Sequence, residues 1–369
     1  MIKNYIWRFA IVCCCIGNFS CASDDDYVLN PSPTPQPEQT SPVNFNIDEV
    51  PYQMLSEYNF FEGDLQNLNP VYGVVPYELS SALFSDYALK KRFLWMPSNV
   101  SASYIDDNSI FDFPIGTVLI KNFYYENVLP NHQKQIIETR LMIKKSEGWI
   151  FAEYIWNDTQ TDAISDLNGR DVFIQWEKDN EVKTVNYRVP SGPECHTCHK
   201  TGDVPIPIGP KPRNINTLFD YGTNTQNQLE KWVEMGYLEA TYPGNMETLP
   251  NWEDSSLSLD LRVRSYLDIN CAHCHSAEAH CAYRPIRLDF NSTGNPINLG
   301  ICVEPDTEIV GAGLTHIVNP ESPSRSVLYY RMNSVEESTR MPLLSRTLKH
   351  EEGVQLVQDW INSLTQQCN

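Results

Sequence analysis

The sequence predicts an α+β fold in which an N-terminal antiparallel β domain is followed by an all-α domain. Three observations predict it. Residues 46–191 alternate runs of β-branched and aromatic residues with clusters of Gly, Asn, Asp and Pro. Residues 256–369 carry apolar residues at helical spacing instead. Between them, residues 226–240 read as one amphipathic helix, a connector. With 369 residues and 41% hydrophobic content, the chain is long and apolar enough for real cores.

Five segments read as strands: TVLIKNFYY (117–125), TRLMIKK (139–145), WIFAEYIW (149–156), DVFIQW (171–176) and KTVNYRV (183–189). EKDNEVK, between the last two, reads as a hairpin tip. LSSALFSDYALKKRFLW (79–95) is expected to contain a short helix. In the connector, Leu229, Trp232, Val233 and Leu238 fall close to one face. SLDLRVRSYLDIN (258–270) reads as a helix. HEEGVQLVQDWINSL (350–364) closes the chain, with Val354, Val357, Ile361 and Leu364 on one apolar face beside Trp360.

The first 21 residues read as a targeting segment. Lys3 and Arg8 precede an apolar run at 11–16 that is too short to span a bilayer. Cys21 follows Phe-Ser, a loose lipobox, so it is the expected lipidation site and mature N-terminus. SDDD after it resembles the acidic tether of Bacteroidetes surface lipoproteins. NPSPTPQPEQTSP (30–42) favours extended polyproline II, a stalk. The protein is therefore expected to be exported, an outer-membrane lipoprotein facing the periplasm or the cell surface. Its net charge of −20 argues against nucleic acid as a partner. Membrane contact is expected through the lipid anchor.

The chemistry lies in PECHTCHK, from Pro193, and NCAHCHS, from Asn270. Both contain Cys-x-x-Cys-His. Two thiols at this spacing can add across the vinyl groups of haem, and the adjacent histidine then becomes the proximal iron ligand. Cys195, Cys198 and His199 would hold one c-type haem; Cys271, Cys274 and His275 would hold a second. Zinc is the rival, but zinc ribbons separate their cysteine pairs by only ~15–20 residues, far less than here. A thioredoxin-like pair would not explain histidine in both copies. Cys281, Cys302 and Cys368 remain. In an exported chain two of them should pair, and Cys281 with Cys302 closes the shorter loop.

Helix, CAHCH, long loop, STRMPLL and a closing amphipathic helix resemble the cytochrome c fold. The resemblance implies Met341 as the distal sulfur ligand of the second haem, on a loop stiffened by Pro342, with Met332 as the alternative. Tyr266 and Trp360 would meet where the first and last helices cross, or simply pack there. The first copy is followed by GDVPIPIGPKPRNINTLF, which offers no sulfur; Met235 and Met246 lie in the wrong context. Its haem is expected to be five-coordinate or to take a distal ligand the sequence does not name. FPIGTVLIKNFYY and GWIFAEYIW ahead of it are similar to the β-sheet cytochromes of the cytochrome c′-beta group and their relatives with a lysine-crosslinked haem. Lys121 lies on the matching strand, but a strand lysine reads as a solvated edge residue. Taken together, ALFSDYALKKRF, FPIGTVLIKNFYY, PIGPKPRNIN and HEEGVQLVQDWINSL, within residues 79–364, resemble a family of exported bacterial di-haem c-type cytochromes.

Other polar residues read plainly. His196 and His273 sit between the motif cysteines and are expected near a haem edge. His132 and His280 read as loop residues, and His350 as the start of the last helix. His316 bonds backbone or a propionate. Arg331 and Arg340 pair propionates or form surface salt bridges. The boundaries expected are 1–21 signal, 22–45 linker, 46–215 β-rich domain ending in the first motif, 216–255 connector and 256–369 cytochrome c domain. The function expected is electron transfer with a redox partner protein. A haem enzyme or small-ligand binder, with an open first haem fed by the second, is the alternative; a zinc-stabilised binding lipoprotein is the third class.

Overall fold

The computed structural model describes residues 39–309 and 312–368. The signal, Cys21 and most of the stalk lie outside them. Among the described residues no helix is long and apolar enough to cross a membrane.

An eight-stranded antiparallel sheet dominates the body: β1 Val75–Tyr77, β2 Leu89–Trp95, β3 Val118–Val128, β4 Gln133–Lys145, β5 Gly148–Trp156, β6 Ala163–Ser165, β7 Arg170–Lys178 and β8 Glu181–Val189. β3 is the axis. β4, β5 and β6 extend the sheet from one edge of it. β2 and β1 extend it from the other edge, which β7 and β8 join farther along at Val128. Asp179 and Asn180, both at positive φ (55° and 60°), make the two-residue turn between β7 and β8. That backbone twist suits a hairpin, and Asn and Asp tolerate it.

Both faces of the sheet are covered, so its central strands are apolar almost throughout rather than alternating. Val118, Ile120, Leu141, Ile143 and Tyr154 face one core, closed by Leu55, Tyr58 and Phe60. The last residues of the expected stalk join this core. Phe45 lies 5.0 Å from the Trp95 ring, and Ser41 Oγ accepts from Trp95 Nε1 at 3.1 Å. Leu119, Met142 and Trp149 face the opposite way, against Trp232 and Leu229.

The helices are α1 Gly192–Cys198, α2 Pro212–Ile215, α3 Gln228–Glu234, α4 Leu259–Cys271, α5 Val327–Asn333 and α6 Glu351–Ser363. The expected sequence of a β domain and then an all-α cytochrome c domain is overturned. The described residues are 20% helical and 27% strand, and Thr40–Asn369 is one compact unit. From the second motif onward, α4, which ends in it, is followed by α5 and α6 across long irregular segments with bridges such as Ile301 to Val318. Residues 276–326 are rich in Pro, Asn and Gly; such residues favour turns over regular helix.

The stretch expected to hold a short helix, residues 79–95, contains none. Asp86 and Tyr87 have positive φ (51° and 63°), which breaks helical winding, and β2 follows. This loop docks on the C-terminal third. Phe84 N donates to Asn270 Oδ1 at 2.9 Å and Trp252 Nε1 to the Ala82 carbonyl at 3.1 Å. Asp86 accepts from the Thr347 and Leu348 amides at 2.8 Å. The Phe84 ring stacks on His350 at 4.1 Å. Polar groups that would have sat idle on an exposed helix are instead consumed in long-range bonds.

α4 and α6 cross at Gly353. A Cβ there would lie 2.3 Å from Tyr266 Oη and 2.5 Å from its Cζ. Tyr266 cannot easily move, because it is buried and its hydroxyl is 3.0 Å from His350 Nδ1. Inside an exposed helix Gly→Ala would help by ~1 kcal/mol. Here Gly353→Ala should destabilise by ~1–3 kcal/mol through overpacking, read as a lower denaturant midpoint at unchanged slope. A raised midpoint would show that Tyr266 gives way.

Candidate functional site

Each Cys-x-x-Cys-His copy is closed by the same bond, from the histidine amide to the first cysteine's carbonyl. α1 begins with a capping box, Ser191 N donating to Glu194 Oε2 at 2.6 Å, and Arg188 braces Glu194 at 2.9 Å. The His199 amide then donates to the Cys195 carbonyl at 2.9 Å. In the second copy α4, capped by Ser258, delivers Cys271, and the His275 amide donates to the Cys271 carbonyl at 2.9 Å. In both, the cysteines stand three apart on a helical turn, which places them on one side of it.

The two turns meet. Donor atoms of Cys198, His273 and Cys274 lie within 4.8 Å of one another. The Cys198 and Cys274 thiols are neighbours; Cys274 foremost, then His273 nearby, makes Cys198 the more acidic of the pair. Burial pushes Cys195 and Cys271 up to about 12, so both are neutral thiols.

A cavity with about 1530 Å³ of empty space, part of it open to solvent, lies between them. Cys195, Cys198, His199, Cys271 and Met341 are on its wall, with Arg346. Cys274 and His275 stand beside it rather than on it. Met332 also reaches the cavity from the C-terminal core, whereas Met235 and Met246 pack near α3.

The donor set suits haem well at the first copy. His199 Nδ1 lies 3.2 Å from the Ile206 carbonyl. Donation there leaves Nε2 with the lone pair, the arrangement by which metal-bound histidines are oriented. Burial foremost, then Lys121 and Arg140, holds His199 down to about 3, so its ring is neutral. Burial and the cations near it hold His275 down to about 4. His275 Nδ1 is buried with no hydrogen-bond partner. The second copy thus supplies Cys271 and Met341 to the cavity and a neutral imidazole next to it.

The remaining residues fall as follows. His196 and His199 both pack edge-on against Phe151, at 4.7 and 5.5 Å. Arg331 and Arg340 donate to the Thr339 and Leu343 carbonyls. His316 lies beside Thr315 Oγ1, and His132 is 3.5 Å from Glu177. The expected Cys281–Cys302 disulfide is replaced by Cys302–Cys368. The Cys281 amide donates to the Cys274 carbonyl at 2.9 Å, which ties its thiol to the second motif and away from Cys302.

Lys121, Arg140 and Glu153 are functional candidates that sequence reading passed over. Lys121 is no solvated edge residue. It sits mid-strand on the central β3, lines the cavity, and is held well below the usual lysine range by burial first and by Arg92 and Arg140 next. A signal existed: each is a lone charge inside an apolar strand, as in VLIKNF, TRLMI and FAEYI. No family model, curated protein or solved structure matches the chain.

Proposed function

We propose that the protein is a di-haem c-type cytochrome that passes electrons between redox partners. The carrying observation is that two Cys-x-x-Cys-His turns, each closed by a bond from the histidine amide to the first cysteine's carbonyl, border one cavity. Haem iron supplies the one-electron chemistry. The chain supplies the thiols of Cys195, Cys198, Cys271 and Cys274 for attachment, His199 and His275 as neutral proximal ligands, and Met341 as sulfur ligand at the second site. A thioether favours the ferrous state. The leader and Cys21 support an exported protein tethered by lipid.

Protein matured with a haem-attachment system should exceed the apoprotein mass by two haems and give a c-type pyridine haemochrome. Replacing Cys195 and Cys198 with Ala should remove one haem and leave the other. A product without haem overturns the reading; a single haem overturns one copy.

One observation favours a second reading, zinc. Cys198, His273 and Cys274 are close enough to share an ion, and tetrahedral Cys/His sites are zinc's usual choice. Under that reading the purified chain carries stoichiometric zinc and no visible absorption.

A further inference from the structure

On the sheet face that walls the cavity, Lys121, Arg140 and Glu153 stand in one cross-strand row, since Lys121 pairs with Arg140 and Arg140 with Glu153. Glu138 stands one row along β4. Both carboxyls are out of water: Glu138 is 0% and Glu153 1% exposed. Their bonding differs. Glu138 accepts from Arg140 through both oxygens, one at 3.0 Å, and from Tyr187 Oη at 2.6 Å. Among the described residues the Glu153 oxygens accept nothing, and Arg140 Nε is 3.9 Å from Oε1.

Two acids therefore share one guanidinium in a desolvated wall. An unpaired buried carboxylate is costly, and two neighbouring carboxyls do not both ionise readily. Burial foremost, then Glu138, pushes Glu153 up. Burial acts on Glu138 in the same sense, but Arg140 and its hydrogen bonds outweigh it and hold Glu138 down. The other groups facing the pair are Lys121 from β3, Tyr187 from β8, Cys195 from α1 and Asp166 beyond β6. Glu153, Cys195 and His199 share the cavity wall.

We propose that Glu138 and Glu153 form a carboxyl pair that exchanges one proton with solvent in step with the one-electron chemistry of the first motif. One electron from an external donor converts ferric to ferrous iron, and one proton from solvent converts the Glu153 carboxylate to the acid. Oxidation returns both. The cause is electrostatic: a ferric centre held by His199, on the cavity wall it shares with Glu153, would favour the carboxylate, and losing that charge would favour the acid. The proposal rests on the haem reading above.

The test uses the haem-loaded full chain. Reduced-minus-oxidised infrared spectra should show a carboxylic acid C=O band appearing on reduction, shifted by deuterium oxide and absent in Glu153→Gln. One midpoint potential should fall with rising pH, by up to about 59 mV per unit, the one-electron equivalent of a tenfold change in proton concentration. That slope should vanish in Glu153→Gln, whose amide mimics the neutral acid. Should the variant misfold, proton uptake by the wild type, followed with a pH indicator in weak buffer during reduction by hexaammineruthenium(II), which releases no proton on oxidation, decides alone. No uptake, or a slope that survives in Glu153→Gln, overturns the proposal. Failure of the haem reading shows separately, as a chain without a pyridine haemochrome.

Discussion

Arg140→Met should destabilise the protein by about 3 kcal/mol, near the lower end of the ~3–5 kcal/mol typical of breaking a buried ion pair. The guanidinium donates twice to Glu138, and Glu138 is entirely buried. Without Arg140 that carboxylate keeps only Tyr187. The arginine side chain is itself 21% exposed, which places the loss at the lower end. A second loss adds to it, because the guanidinium lies over the Phe123 ring at 4.3 Å. Urea unfolding of the wild type, Arg140→Met and Arg140→Met/Glu138→Gln measures the effect. The double variant should recover part of the stability, since the stranded charge is gone. Equal stability of all three would mean that the pair is solvated.

The destabilisation of Arg140→Met should also shrink as pH falls. Glu138 is held below its ordinary value, so its ionised form stabilises the fold above the ordinary carboxylate range. That contribution disappears as pH falls through the lowered value. Wild type and variant should converge in acid.

Cys368→Ala should cost about 4 kcal/mol. Cys302 and Cys368 are separated by 66 residues, and cross-linking a loop of that size removes ~4 kcal/mol of denatured-state entropy. Thermal unfolding with and without reductant reads it. Reductant should lower the wild-type midpoint to that of Cys368→Ala and leave the variant unmoved. Cys281→Ala should respond to reductant as the wild type does. If Cys281→Ala abolishes the response, the pairing is the one loop length suggested.

The contrast between these sites shows what could be read from sequence. The strands at 117–125, 149–156 and 183–189 were legible because β-branched and aromatic runs bounded by turn residues have few other uses. The closing helix was legible from Val354, Val357 and Ile361 recurring on one face. The disulfide was not, because loop length says nothing about which chain end α6 carries back to Cys302. The seam was not legible either. Asp86, Phe84 and Tyr87 look local in sequence, and their partners are Thr347, His350 and Glu352. At the site, the cysteines, the two motif histidines and Met341 were visible as motifs. The row of Lys121, Arg140 and Glu153 was visible only as three separate oddities, because register, which places them side by side, depends on pairings between distant strands.

The way the cavity is enclosed bears on the order of events during biogenesis. Its walls are gathered from Tyr77 near one end of the chain to Val354 in the last helix. No partly made chain can close that space. Until α6 emerges, the four motif thiols remain on an open polypeptide, reachable by whatever joins a group to them. Once the seam at Asp86 engages Thr347 and Leu348, Cys195 is interior and the window narrows. Folding thus sets an order: a group too bulky to pass the closed seam would have to reach these thiols before the last helix docks.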